Sequence, residues 1–100
     1  MLHMVLIRHG PETCAVDHPH LGEKARRGFG QMETVSRKHS VSIHGVWGEP
    51  PAHTFYMPVD APNAHVVSAL VRELELFHWN TIDIRPVATL DEIMPLLAQA

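Results

Sequence analysis

Leu2-His3-Met4-Val5-Leu6-Ile7-Arg8-His9 is a continuous apolar run closed by His9-Gly10-Pro11. It is too short for a helix and rich enough in Leu, Val and Ile for a buried β-strand. Side chains alternate across a strand, so Leu2, Met4 and Leu6 point to one side and Val5 and Ile7 to the other. Both sides are apolar. Whatever sheet this strand belongs to must be covered on two faces.

Working outward, Leu21, Ala25, Phe29, Met32 and Val35 recur at helical spacing and predict one amphipathic helix over 21–39, weakened by Gly22, Gly28 and Gly30. Val41 to Trp47 alternates as a strand, Gly48-Glu49-Pro50-Pro51 turns the chain, and His53 to Val59 forms the returning strand. Pro58 must lie near that strand's end or at a bulge, because it cannot donate to a ladder. Ala61-Pro62-Asn63 starts a helix whose inner face is Val67, Leu70, Val71, Leu74 and Phe77, running to His78. Thr81 to Val87 is a further strand. Thr89 and Glu92 then have capping-box spacing and open a short terminal helix that Pro95 should kink or cut.

Strand, helix, strand, strand, helix, strand is the ferredoxin-like βαββαβ order, an α+β fold with both helices on one face of an antiparallel sheet. The chain shows no linker or repeat, so residues 1–100 are expected to form a single domain. The second apolar face, and the opposition of Phe55 and Met57 to Tyr56 on the third strand, imply a homodimer that packs sheet to sheet. The passage Gly45-Val46-Trp47-Gly48, the hairpin, and Tyr56-Met57-Pro58-Val59-Asp60-Ala61-Pro62 resembles small GYD-like proteins of the dimeric α+β barrel superfamily. The resemblance covers nearly the whole chain and implies a barrel made from two protomers. That superfamily includes cofactor-free monooxygenases, isomerases and haem enzymes with no shared catalytic set, so the resemblance implies no particular reaction.

The chain has 100 residues and a net charge of −3, with no run of like charge, which argues against nucleic acid or an anionic membrane surface as partner. One Cys makes no internal disulfide, and no apolar run approaches the roughly 20 residues of a membrane span. A cytoplasmic protein is expected. The unusual figure is nine His. In a 4-1-3-2 sheet the end of the first strand, the central hairpin and the last helix-strand junction share one end. That end collects His9, Cys14, His18, His20, His53, His78, Trp79 and Asn80.

A thiol and imidazoles from separate segments could ligate Zn, Cu or Ni, or bind a small ligand. His9, Cys14 and His53 are the expected metal ligands. His9 ends a strand and His53 follows two stiffening prolines, whereas His18 and His20 are loop reserves. Trp47, Tyr56, His78 and Trp79 are the expected lining of a ligand pocket. The alternative function is a cofactor-free enzyme of monooxygenase or isomerase type with His53 or His78 as base. Arg8-His9-Gly10 with Thr13, and the later His44-Gly45, also resemble the opening and second His-Gly of histidine phosphatases. The chain is too short to surround a phosphoryl group as that family does, so His9 is expected not to be a phosphohistidine nucleophile.

Overall fold

The computed structural model describes residues 1–98. Its spine is β1 (Leu2–Arg8), hydrogen-bonded on one side to β4 (Thr54–Asp60) and on the other to β5 (Thr81–Pro86), all antiparallel. β2 (Ser42–Ile43) and β3 (Trp47–Glu49) both pair with the outer edge of β4. Counting those two pieces as one interrupted strand gives the strand order of a ferredoxin-like sheet. The α+β architecture is compatible with that fold. Among the described residues there are four α-helices: α1 (Pro19–Gly30), α2 (Met32–Lys38), α3 (Ala64–Glu73) and α4 (Leu90–Leu97).

Register fixes which side chains meet. Val5 lies between Met57 and Ile84, and Ile7 between Phe55 and Ile82, so one face of the sheet is a continuous apolar surface. Val5, Ile7, Met57 and Val59 are fully buried there, against Ala25 of α1, Val35 of α2, and Val67, Leu70 and Val71 of α3. His3 shares this face and is buried, with its Nδ1 3.1 Å from the carbonyl of Met1. The opposite face carries Leu2, Met4 and Leu6, with Tyr56 and Asp83 flanking Leu6 and Pro58 and Arg85 flanking Met4. Among the described residues Leu2, Met4 and Leu6 remain only half-buried.

The predicted second strand is interrupted, and Pro58 accounts for it. The carbonyl of Pro58 accepts from the amide of His44 at 2.9 Å, so the proline's backbone edge faces β2 and β3. Its missing N–H therefore falls opposite the break at His44–Val46, where a regular strand would leave a carbonyl without a donor. Gly48 and Glu49 belong to β3, and the turn is a single 3-10 turn, Pro50–Ala52.

The helix expected over 21–39 is two. α1 ends at Gly30, Gln31 takes φ −95° and ψ 0°, and α2 starts at Met32. Gly28 permits the approach of α1 to the end of α3, since a Cβ there would lie 2.6 Å from the carbonyl oxygen of Leu74. α3 starts at the end of the expected Ala61-Pro62-Asn63 stretch, with Asn63 as its cap, the side chain accepting from the amide of Val66 at 3.0 Å. It also stops early: Glu75 is left-handed at φ 61°, and Leu76–His78 form a separate 3-10 turn. α4 opens with the capping box of Thr89 and Glu92 and runs on through Pro95 without being cut.

Candidate metal centre

β1 ends in a loop that starts at His9, and the hairpin returns beside it, with the His9 amide donating to the carbonyl of His53 at 3.2 Å. This one backbone bond ties the two imidazoles together; their rings stand edge to face with centroids 5.2 Å apart. His53 closes the Pro50–Ala52 turn in the left-handed conformation, at φ 50° and ψ 43°. A side chain with a Cβ resists that conformation, though His tolerates it better than most. Cys14 follows the 3-10 turn Pro11–Thr13 and is 7 % exposed. One ligand atom from each of His9, Cys14 and His53 lies within 4.8 Å of those of the other two. Tetrahedral zinc with bonds of about 2.1 Å to nitrogen and 2.3 Å to sulfur sets two nitrogens and one sulfur roughly 3.4–3.6 Å apart. Closing on an ion thus takes side-chain shifts of under about 1 Å.

The junction before β5 settles the tautomer of His9. Asn80 donates from Nδ2 to the carbonyl of Leu76 at 3.0 Å, which turns its Oδ1 towards His9 Nδ1, also at 3.0 Å. An amide oxygen only accepts, so the neutral ring is assigned its proton on Nδ1 and its lone pair on Nε2. That Nε2 is buried and has no hydrogen-bond partner. A buried acceptor left in this state costs about 1–3 kcal/mol. Donation of the far ring N–H to a carbonyl is how metal-bound histidines are commonly held. Among the described residues no fourth His, Cys, Asp or Glu joins the cluster.

The cluster lies in the wall of a cleft of about 930 Å³ between α1, the hairpin and the Cys14 loop. Ala25, Phe29, Phe55 and Trp79 are part of its apolar lining, and Asp17, Arg26 and Glu49 line it as well. Their rings are packed together: Phe29 is 5.2 Å from Phe55 and 6.5 Å from Trp79, and Trp79 is 5.3 Å from His9.

His9, Cys14 and His53 are thus brought together as the sequence suggested. The expected pocket residues Trp47, Tyr56, His78 and Trp79 are not. Trp79 is buried in the cleft wall, but Trp47 pairs with Tyr56 across β3 and β4 on the opposite face of the sheet, where Trp47 is largely exposed. There the Tyr56 hydroxyl donates to Glu49, which pushes the Tyr56 pKa up from its ordinary value. His78 is exposed on the 3-10 turn, with Nδ1 2.9 Å from Lys24 Nζ. His18 caps the loop by meeting the carbonyl of Cys14 at 2.9 Å, and His20 is exposed beside it.

The phosphatase-like residues are also parted. Arg8 is paired with Asp83 on the open face of the sheet, away from the His9 ring, and His44 bonds Asp60 at 3.1 Å. Asn80 was placed at this end by topology alone; its orienting role, and Phe29 in the wall, had no sequence signal beyond position. No protein-family model matches the chain, and no curated protein matches it.

Proposed function

We propose that the protein binds one divalent transition-metal ion through His9 Nε2, Cys14 Sγ and a ring nitrogen of His53. The observation that carries this is the His9 Nε2 lone pair, buried without a partner while Asn80 fixes the ring from behind. An ion gives that lone pair its missing partner. The thiolate-and-imidazole set suits Zn(II), Cu(II) or Ni(II) better than a hard, oxygen-seeking ion. Binding displaces a proton from the thiol and competes with imidazole protonation, so affinity falls on acidification.

The test is titration of the protein, purified without a tag, with each of the three ions. Wild type should take up one equivalent. Each of His9→Ala, Cys14→Ser and His53→Ala should weaken binding at least ~100-fold, since even residues that only orient a ligand are worth about 10–100-fold. Equal binding by all four proteins would refute the site. The apolar cleft beside His53 supports a second function, a cofactor-free enzyme with His53 as base. Absence of stoichiometric uptake in the same titration favours that alternative.

We also propose that the protein works as a homodimer joined through the open sheet face, in the manner of a dimeric α+β barrel. Leu2, Met4, Leu6 and Pro58 give that face an apolar centre, with Arg8, Asp83 and Arg85 beside it. Asp83 pairs with both Arg8 and Arg85 within the chain, so the charges beside the apolar centre are largely balanced before a second copy docks. α4 adds a second apolar surface. Leu90, Met94 and Leu97, spaced along one helical stripe, are 67 %, 52 % and 58 % exposed. The radius of gyration, 15.0 Å, exceeds the roughly 13 Å of a compact chain this long, as expected if the outlying surfaces close only against a second copy. The described residues include no helix long and apolar enough to cross a membrane.

A further inference from the structure

We infer that the fourth coordination position of the proposed ion takes the carboxylate of a small organic acid whose apolar body lies in the cleft; this rests on the metal-binding function proposed above. Three protein ligands leave a tetrahedral ion one position short, and no fourth donor of the usual types joins them among the described residues. A closed structural site would have supplied it.

Charge decides what fills the position. A divalent cation with one thiolate and two neutral imidazoles has a net charge of +1. Asp17, Arg26 and Glu49 also line the cleft, but Asp17 and Arg26 are exposed to solvent and Glu49 is engaged by the Tyr56 hydroxyl, so the ion's charge, set beside Ala25, Phe29, Phe55 and Trp79, is left for one monoanionic ligand to cancel. A carboxylate is already ionised near neutral pH and gives up no proton on binding. Shape decides the rest. At about 930 Å³, the cleft is near the upper end of the range for small-molecule sites, so it has room for an aliphatic or aromatic body. Water or hydroxide would complete the coordination but leave the apolar wall wet.

The experiment uses protein loaded with one equivalent of Co(II), whose visible spectrum reports the fourth ligand, titrated with acetate, benzoate and benzyl alcohol. Benzoate should perturb the spectrum and bind roughly 10- to 100-fold more tightly than acetate, the gain from burying the ring. Benzyl alcohol, with the ring but no anionic head, should leave the spectrum unchanged. Gly30 lines the cleft at the end of α1, and a Cβ there meets nothing within 4 Å, so Gly30→Phe has room to fold. It should retain Co(II) and lower benzoate affinity to that of acetate. Benzoate binding no more tightly than acetate, binding equally well to metal-free protein, or binding undiminished in Gly30→Phe would each overturn the inference while leaving the metal site standing. Failure to take up Co(II) at all would overturn both.

Discussion

Asn80→Ala removes no metal ligand, yet it should cost the protein most of its metal affinity. Asn80 holds two hydrogen bonds of 3.0 Å, one from its Nδ2 to the Leu76 carbonyl and one from His9 Nδ1 to its Oδ1. Alanine frees the His9 ring to rotate and to exchange its proton between nitrogens, so part of the population presents N–H to the ion where a lone pair is needed. Orienting partners of this kind are worth about 10–100-fold in affinity, or roughly 1.4–2.7 kcal/mol.

Asn80→Asp separates orientation from mere stability. Aspartate still accepts from Nδ1–H and makes the ring a better donor, so metal affinity should equal or exceed wild type. It sets an acceptor against the Leu76 carbonyl, however, so the metal-free fold should lose about 1 kcal/mol. The assay is competition with a chelator of known affinity, run beside urea unfolding of the metal-free proteins. The reasoning is refuted if Asn80→Ala binds as tightly as wild type, or if Ala and Asp weaken binding equally.

Other outcomes follow from the same geometry. His53→Gly should abolish metal binding and yet stabilise the metal-free protein by about 1 kcal/mol in urea unfolding, because glycine has no Cβ to resist φ 50°. A destabilised variant would show that the conformation carries no strain. Leu6→Asp, in the middle of the open sheet face, should sediment as monomer or aggregate where wild type sediments as dimer; a monomeric wild type at micromolar concentration would contradict the interface. Stability should fall as the pH is taken below about 4.5. Hydrogen bonds from His44 and the N-terminus hold Asp60 below its ordinary value of 3.8, those from His39 and Lys38 do the same for Glu73 against 4.5, and Arg27 does so for Glu75. The folded state releases these protons more readily than the unfolded chain, so their stabilisation is present above the unfolded values and is lost as pH falls through the folded ones. Asp60 and Glu73 are exposed and Glu75 is half-buried with its carboxylate reaching solvent, so the loss should be modest; a thermal midpoint that rises between pH 5 and 3 would contradict it.

The sheet was legible because Leu2–His9 is apolar at both parities and the strand order leaves little topological choice. The same topology put His9, Cys14 and His53 at one end without any recognisable ligand spacing. Parity also keeps Tyr56 and Trp47 out of the cleft: Phe55 and Met57 face the helices, so Tyr56, one residue away, faces outward and takes its cross-strand partner Trp47 with it. Helix ends were harder. The break at Gln31 and the left-handed Glu75 arise where α1 crosses the end of α3 over Gly28, a tertiary contact with no local signature. That early end to α3 is also why His78 sits on a separate exposed turn while Trp79 turns in. Nothing in the order Trp79-Asn80-Thr81 announces that Asn80 sets a tautomer 71 residues away.

X-ray absorption at the metal edge, on protein loaded with one equivalent of Zn(II), tests the proposed centre most directly. A first shell of one sulfur near 2.3 Å and two imidazole nitrogens near 2.0–2.1 Å, completed by one light-atom ligand, is the expected result. A shell without sulfur, or one of five or six oxygen and nitrogen atoms, would mean that the ion sits elsewhere and that His9, Cys14 and His53 do not form its site.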